Sequence, residues 1–246
     1  MENIFLPSKI EFKKSKEPNK GELVIEPLFF GYGTTLGNAL RRVLLSSLPG
    51  AAVTSFKIKG VQHEFSTKEG VQEDILEIML NLKQLRLKVF SDEPVVLKIK
   101  KKGSGDVLAK DIEKNSDVEI SNKDLKIMTI TDSKTELDME LTVEKGRGFD
   151  PTENREKENL PVGTIAIDAI YTPIKDVGFK VENTRVGQIT DYDKLTLTIE
   201  TDGTMSVEEA INYAVKILID HFSLLYKKEK VGKTTAEKET KKKTTK

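Results

Sequence analysis

The fold of this chain is decided by the stretch TLGNALRRVLLSSLPG, which runs from Thr35 to Gly50. Thr34 or Thr35 is a suitable N-cap for a helix, and Pro49-Gly50 is a suitable end. Between them, apolar or small residues recur at the 3.6-residue period and share one face: Leu36, Ala39, Leu40, Val43, Leu44 and Ser47. The stretch therefore predicts a helix that ends at about Ser47 and buries that face.

The opposite face of this helix has a different character, because it carries Asn38, Arg41, Arg42 and Leu45. An arginine beside an exposed apolar side chain is the composition of a protein interface. A solvated polar face with one stray leucine explains the same pattern, since single exposed leucines are common. Periodicity alone favours this second interpretation.

A second long helix is predicted near residues 206–226, where Ser206 and Glu209 have the spacing of a capping box. A helix that is apolar nearly all round must be buried on several sides. The helix predicted at 206–226 is therefore either the central helix of a monomer or a helix that also packs on a second copy of the chain. Its apolar residues cover far more than one stripe: Val207, Ala210, Ile211, Ala214, Val215, Ile217, Leu218, Ile219, Phe222, Leu224 and Leu225.

Most of the remaining chain alternates apolar and polar residues with period two, which predicts β-strands. The alternation recurs over 8–30, 51–65, 85–145 and 165–199, and turns rich in glycine or charge interrupt it. One further helix is predicted over 71–82, after the capping-box pattern Ser66-x-x-Glu69. The sequence therefore predicts an α+β fold.

Several kinds of chemistry are excluded by composition, because the chain has no cysteine and two histidines. Disulfides, thiol catalysis and cysteine metal sites are ruled out, and His63 and His221 have no metal-ligand spacing. Glu153, Glu156 and Glu158 lie in a charged loop and form no carboxylate pair. We expect no cofactor, no metal and no catalytic residue in this chain.

The pattern Gly31-x-Gly33-x-x-x-Gly37 resembles a phosphate-binding loop but misses the dinucleotide spacing. The surrounding pattern is not strand–helix–strand, and no acidic residue ends a second strand about 20 residues further on. A glycine turn followed by close helix packing is the favoured interpretation.

Charge is distributed unevenly along a chain whose total is neutral. Residues 227–246 hold nine lysines and three glutamates, while the rest has 31 basic and 37 acidic residues. The low-complexity end is predicted to be a disordered basic tail. The acidic body argues against a fold that mainly grips phosphates. No secretory signal and no membrane span are predicted, so we expect an intracellular protein.

Two long motifs are specific enough to indicate a family, namely residues 35–50 and the stretch HEFSTKEGVQEDILEI at 63–78. Shorter motifs follow: KGRGF at 145–149, DAIYTPI at 168–174 and TDYDKL at 190–195. Over about residues 5–226 the chain resembles the alpha subunit of bacterial and plastid DNA-directed RNA polymerase. The resemblance implies a dimerising assembly scaffold that is not catalytic on its own.

The family's fold implies a discontinuous dimerisation domain over 1–50 and 179–226, built from a sheet and two long helices. A mostly β insert domain would interrupt it over 51–178, and 227–246 would be the basic tail. The two long helices would pack against their symmetry mates. The resemblance implies the following dimer-helix residues: Leu36, Leu40, Val43, Leu44, Ile211, Ala214, Leu218, Phe222 and Leu225.

The resemblance also implies partners beyond the homodimer. Arg42 and Leu45 match positions that contact the beta subunit, and they are the residues that the helical period places on the outward face. Lys83, Ile167 and Lys194 match the beta-prime side. By the same resemblance Arg185 would belong to the subunit-contact surface. Omega and sigma would join the same complex.

In this family the nucleotidyltransferase chemistry needs Mg²⁺ held by an aspartate cluster on beta-prime. This chain would act only as part of the complex, in the bacterial cytosol or plastid stroma. Family members commonly carry a linker and a C-terminal domain that contacts promoter DNA, and this sequence stops at Lys246. We therefore expect DNA contact only through the complex, with weak direct contact by the tail at most.

Two alternatives compete with the scaffold. One is a free-standing alpha-like regulatory dimer that never enters a polymerase, and co-purification with the large subunits separates it from the scaffold. The other is a small nucleotide-binding enzyme that uses the glycine turn at 31–37. Nucleotide binding by the isolated chain would support that second alternative.

Overall fold

The computed structural model describes residues 4–155, 161–187 and 189–226. Within these ranges the α-helices are α1 (Tyr32–Ser46), α2 (Ile75–Lys83) and α3 (Val207–Leu225), and short 3-10 turns span Ala109–Asp111 and Thr152–Asn154. The strands are β1 (Lys9–Lys14), β2 (Lys20–Leu28), β3 (Pro49–Ile58), β4 (Leu87–Val89), β5 (Val95–Lys102), β6 (Gly105–Leu108), β7 (Val118–Ile120), β8 (Lys126–Ile130), β9 (Glu136–Arg147), β10 (Phe149–Asp150), β11 (Thr164–Ala166), β12 (Ala169–Ile170), β13 (Ile174–Val186) and β14 (Ile189–Thr201). The predicted mixture of helices and strands is confirmed.

The first sheet joins the two ends of the chain, with the antiparallel order β1-β2-β14-β13. Its central pairing places Leu23 opposite Leu197 and Ile25 opposite Leu195. All four side chains are buried, and they pack with residues of α1 and α3. The first core contains Leu23, Ile25, Leu28, Leu40, Leu44, Leu48, Ile174, Val177, Leu195, Leu197, Ile199, Ala210, Ile211 and Ala214.

The second sheet is built from the middle of the chain, in the order β11-β3-β9-β5. Shorter pairs, β4-β7, β6-β8 and β10-β12, accompany it. Ile75, Ile78 and Leu82 of α2 pack with its residues in a second core. This core is drawn from residues between Val53 and Ile167, so the chain leaves the first unit after α1 and returns to it at β13.

The start of α1 differs from the prediction, because the helix begins at Tyr32. Gly31 is the N-cap, with a left-handed φ of 80°, and no side chain caps the helix. The Thr35 hydroxyl donates instead to the Gly31 carbonyl, at 3.1 Å. The glycine turn sets the start, because position 31 has a positive φ that glycine adopts without the strain of a side chain.

The start of α2 was also predicted wrongly, because Ser66 and Glu69 do not cap it. Asp74 is the N-cap and accepts from the Glu77 N–H at 2.7 Å, while the Ser66 hydroxyl donates to the His63 carbonyl.

The residues directly before Asp74 are bonded to strand β8. The Gln72 N–H donates to the Thr129 carbonyl at 3.0 Å, and the buried Glu73 carboxylate accepts from the Thr129 N–H. These contacts keep 71–73 out of the helix.

The start of α3 confirms the prediction. The Ser206 hydroxyl accepts from the Glu209 N–H at 3.2 Å, and the Glu209 carboxylate accepts from the Ser206 N–H at 3.0 Å. These reciprocal bonds satisfy two donors that the first turn of a helix leaves free. Among the described residues, no helix is both long and apolar enough to cross a membrane.

Gly33 and Gly37 bring α1 close to the first sheet. A methyl group on Gly37 would lie 2.7 Å from the Phe179 ring, and one on Gly33 would lie 2.8 Å from Val181. The Gly33 N–H also donates to the buried Asp193 carboxylate at 3.0 Å. In a phosphate-binding loop this N–H would bind the phosphate, but here it binds a carboxylate. This contact supports the interpretation that the glycines serve close helix packing.

Gly37→Ala tests this close approach. Alanine in an exposed helix interior stabilises by about 1 kcal/mol relative to glycine. Here we expect the opposite sign, a loss of about 1–3 kcal/mol, because the methyl group overpacks against Phe179. Urea denaturation measures the free energy of unfolding. The control is Gly178→Ala, where a methyl group meets nothing within 4 Å. A stabilised Gly37→Ala variant would contradict the packing described here.

Candidate interaction surfaces

The outward face of α1 lies on the molecular surface, as its sequence indicates. Arg42 is exposed, and Leu45 keeps 37% of its surface accessible. Arg41 differs from its neighbour, because its Nε donates to the Val177 carbonyl at 3.1 Å and so ties α1 to β13. The geometry leaves Arg42 and Leu45 as a guanidinium and an apolar side chain one helical turn apart.

The nine dimer-helix residues expected from the sequence do not share one environment. Leu40, Leu44, Ile211 and Ala214 are buried in the first core of their own chain, so they are not available to a second copy. Three more pack partly against that core: Leu36, Val43 and Leu218. The period identifies a buried face, but here the protein's own sheet covers most of it.

The last part of α3 provides the surface that is left uncovered. Phe222 is 62% exposed and Leu225 is 78% exposed, whereas the last fully buried residue of the helix is Ala214. Further apolar side chains on α3, or directly after it, are exposed but were not among the nine expected dimer residues: Tyr213, Val215, Ile219, Leu224 and Tyr226. Their signal was already present in the apolar residues all round the helix.

The edge of the first sheet also carries exposed apolar side chains. In register, Ile10 lies opposite Ile25, and Phe12 lies opposite Leu23. Residues paired in this way project from the same face of a sheet, so Ile10 and Phe12 extend the face that carries the first core. They are nevertheless 60% and 41% exposed. The alternation of apolar and polar residues could not identify them, because it does not show which part of a sheet the helices cover.

Lys83 and Ile167 are both next to Asp168: Lys83 forms an ion pair with it, and Ile167 precedes it in the chain. The Lys83 ammonium lies 2.9 Å from the Asp168 Oδ2 atom, and its side chain is 22% exposed. Ile167 has no accessible surface and belongs to the second core. Its side chain offers no contact to a partner, so a direct role, as the resemblance implies it, is not available to this residue.

Asp168 is held by two donors. The Thr152 N–H donates to its Oδ1 atom at 2.9 Å, and the Lys83 ammonium donates to Oδ2. The Thr152 N–H first, and then Lys83, lower the pKa of Asp168 to about 2 because both favour the charged carboxylate. In the sequence, Asp168 stands out only as the first residue of the motif DAIYTPI.

Arg155 is a second residue that sequence reasoning missed. Its Nε donates to the Asp150 carboxylate at 2.6 Å. Its two terminal nitrogens reach the carbonyls of Thr54, Ile167 and Asp150, at 3.0–3.2 Å. One guanidinium therefore links three segments of the second unit, and only a folded chain brings these acceptors together.

Lys194 and Arg185 lie in the first sheet, on β14 and β13, and not beside Lys83. Lys194 Nζ is 3.5 Å from the Glu26 carboxylate, which Lys9 also approaches at 3.1 Å. The hydrogen bond from Lys9 is the main reason why the pKa of Glu26 is lowered. Arg185 is exposed, and its Nε donates to the Gly187 carbonyl at 2.7 Å.

The histidines lie in separate, ordinary environments. His63 is exposed and its carbonyl accepts from Ser66, while the His221 Nδ1 atom lies 2.8 Å from the Ile217 carbonyl of its own helix. Within the part of the chain that the structure describes, no group of three His, Asp or Glu side chains is arranged to hold a metal ion. Glu156, Glu158 and the basic tail at 227–246 lie outside the described residues.

The sequence of this chain is similar to proteins of a known family. The family model described as the RNA polymerase Rpb3/RpoA insert domain matches residues 56–172. The chain is 55% identical over 210 residues to the DNA-directed RNA polymerase subunit alpha of Clostridium botulinum (strain Eklund 17B / Type B), which covers 85% of this chain and 66% of that protein.

Two further relatives carry the same name. The protein of Clostridium beijerinckii is 56% identical over 204 residues, with 83% of this chain and 64% of the relative covered. That of Clostridium kluyveri (strain ATCC 8527) is 54% identical over 210 residues, with 85% and 66% covered. The chain thus spans slightly less than two thirds of the length of the curated relatives that it matches.

Asp168→Asn tests the electrostatics of its site. A carboxylate whose folded pKa is about 2, against an ordinary 3.8, stabilises the fold above about pH 4 and loses that contribution as the pH falls towards 2. At pH 7 we expect the variant to be less stable by about 1–2 kcal/mol, a value reduced for the partly exposed side chain.

Denaturation between pH 2 and 7 measures this difference, which should shrink towards pH 2. Asp124→Asn, at an exposed aspartate, is the control and should change stability by less than about 0.5 kcal/mol. A difference between wild type and Asp168→Asn that stays constant with pH would show that the carboxylate charge is not responsible.

Proposed function

Since this chain belongs to the family of bacterial DNA-directed RNA polymerase alpha subunits, we propose that it dimerises and forms the scaffold on which the polymerase assembles. The observation that carries the proposal is the uncovered apolar surface of α3 and the sheet edge. Side chains such as Phe222, Leu225 and Ile10 are exposed to water beside a well-packed core. A large exposed apolar patch of this kind is typical of a protein interface.

The dimer that we propose is two-fold symmetric. In such an interface each subunit offers the same surface, so one self-complementary patch is sufficient. Helix α3 follows β14, and its residues Ala210, Ile211 and Ala214 belong to the first core, so the exposed end of the helix continues from that core. The outward part of α3, and not the face with Leu40 and Leu44, is the surface proposed to meet the partner.

We propose that the dimerisation domain is built from both ends of the chain, as 1–50 and about 174–226, with the insert domain between them. Two separate hydrophobic cores support this division, and so does the insert-domain model at 56–172. Ile174 and Val177 pack in the first core, so the return to the dimerisation domain is better set near Pro173 than at 179.

The proposed contacts with the large subunits use two faces. On one protomer Arg42 would donate charge-assisted hydrogen bonds to beta, and Leu45 would supply an apolar anchor. On the other protomer beta-prime would meet the region around Lys83 and the hairpin region with Lys194 and Arg185. Omega and sigma would join through the large subunits.

In this proposal the chain is a non-catalytic subunit of a nucleotidyltransferase, and the metal chemistry belongs to beta-prime. Promoter DNA would be reached only through the complex, with weak direct contact at most. The bacterial relatives support a place in the bacterial cytosol.

Phe222→Ser combined with Leu225→Ser tests the dimer. Both side chains are largely exposed in the single chain, so we expect the fold to persist while the dimer dissociates at least about 100-fold more readily, because two central apolar contacts are lost. Analytical ultracentrifugation gives the dissociation constant, and circular dichroism reports the fold.

Leu80→Ser is the matched control, because Leu80 is a 55% exposed leucine on α2 of the other unit. It should leave the dimer intact. A double variant that remains dimeric at micromolar concentration would contradict the proposed interface.

Arg42→Ala tests the beta contact. The variant should fold and dimerise normally but capture beta at least about tenfold more weakly, because charge-assisted hydrogen bonds are lost. The measurement is the mass of the complex formed on co-expression with the cognate beta subunit. Lys100→Ala, at an exposed lysine of β5, is the control. An Arg42→Ala chain that unfolds or becomes monomeric would contradict the assignment.

A further inference from the structure

Helix α1 differs from α2 and α3 in how it begins. Helix α2 starts after Asp74 and α3 after Ser206, and each of these side chains accepts from an N–H in the first turn of its own helix. The N-cap of α1 is Gly31, and its first turn carries no acidic residue. The first four N–H groups of a helix have no partner within the helix. The start of α1 therefore needs an acceptor from elsewhere in the chain.

Strand β14 supplies that acceptor. The Asp193 carboxylate accepts from the Gly33 N–H at 3.0 Å, across 160 positions of the sequence. Gly33 is the second residue of α1, and the N–H at this position is one of the two that an N-cap side chain ordinarily binds. A negative charge at this end also interacts favourably with the helix dipole. Asp193 thus does for α1 what Asp74 does for α2.

The position of Asp193 in β14 is one that packing alone would give to an apolar residue. The fully buried residues of the strand alternate with more accessible ones, and Asp193 takes a buried position, 5% exposed, two residues before the core residue Leu195. A buried carboxylate costs free energy unless it is hydrogen-bonded. Gly33 allows the close approach that this bond requires, because a methyl group on it would lie 3.0 Å from the Asp193 Oδ2 atom.

Aromatic side chains join the same two segments at the neighbouring residues. Tyr32 is the first residue of α1, and its ring lies edge-on to Phe29, with the ring centroids 6.2 Å apart. Phe29 lies edge-on in turn to Tyr192 of β14, at 6.4 Å. Such pairs contribute stability beyond their buried area. The first turn of α1 is therefore connected to β14 through both Tyr192 and Asp193.

We propose that Asp193 is a remote N-cap that couples α1 to β14, so that the first turn of the helix forms only when β14 is paired with β2. This turn then opens and closes together with β14, as one cooperative unit. The coupling acts within a single chain and does not depend on the proposed scaffold function. Its consequence is that the start of α1 is completed only by a residue that lies 160 positions further along the chain.

Two substitutions of Asp193 separate capping from packing. Leucine has as many non-hydrogen atoms as aspartate and suits a buried strand better, but it offers no acceptor. Asparagine offers an acceptor and caps helices about as well as aspartate. Capping predicts that the Gly33 amide of the full-length chain exchanges at least about tenfold faster in Asp193→Leu, but less than about threefold faster in Asp193→Asn. Hydrogen exchange followed by NMR measures both rates.

A role in packing alone predicts the reverse order. Leucine would then protect the Gly33 amide at least as well as aspartate does, and this result overturns the proposal. Asp191→Leu is the matched control, because Asp191 is an exposed aspartate of the same strand. It should leave exchange at Gly33 unchanged. The amides of β9, in the second unit, should exchange as in wild type in every variant.

Exchange of the wild-type chain at increasing urea concentrations tests the coupling without any substitution. One cooperative unit predicts that the Gly33 and Leu195 amides share the same opening free energy and the same dependence on urea. In Asp193→Leu the Gly33 amide should become separate from Leu195 and open at lower urea. A wild-type Gly33 amide that opens independently of Leu195 would overturn the coupling, whatever the chain binds.

Discussion

The pairing of β2 with β14 is the constraint on which the remaining structure depends. It joins residues near the two ends of the described chain, with Leu23 opposite Leu197. A slip by one residue would turn every side chain of the strand to the other face, and the first core would lose Leu23 and Ile25 together. Because α1 follows β2 and α3 follows β14, this one register also places both helices against the same core. The second unit is then an insertion between α1 and β13.

The register also explains why apolar surface remains at the edge. The sheet face continues through Ile10 and Phe12, but the buried part of α3 ends at Ala214. Beyond that residue Ile217 and Leu218 are only partly covered by the core, and Ile219, Phe222, Leu224 and Leu225 are exposed. A single chain therefore has a core that is closed on one side and open on the other. The proposed dimer follows from this geometry more directly than from the helical period of α1.

Much of the fold could be predicted because its signals are local. The capping box of α3 lies within four residues, and the outward position of Arg42 and Leu45 follows from the helical period alone. The start of α2 was predicted wrongly because Glu73 and Gln72 form hydrogen bonds with Thr129, which is more than fifty residues away in the sequence. Leu40 and Leu44 were expected in the dimer interface but are covered by their own sheet. Periodicity identifies a buried face but not the element that covers it. Arg155 and Asp168 gave no signal, since their acceptors and donors come from separate segments.

The same topology sets an order of events on the ribosome. The second unit uses residues 53–167 alone for its core, so it can fold as soon as that stretch has emerged. Strand β2 is made early, yet its partner Leu197 follows Leu23 by 174 residues. At about 5–20 residues per second, β2 and the apolar face of α1 wait roughly 10–35 seconds for β14. Only while the last 30 residues of that stretch are made, from 167 to 197, can the nascent chain carry a finished second unit beside an unfinished first one. Strands that are exposed in this way are the surfaces that chaperones protect.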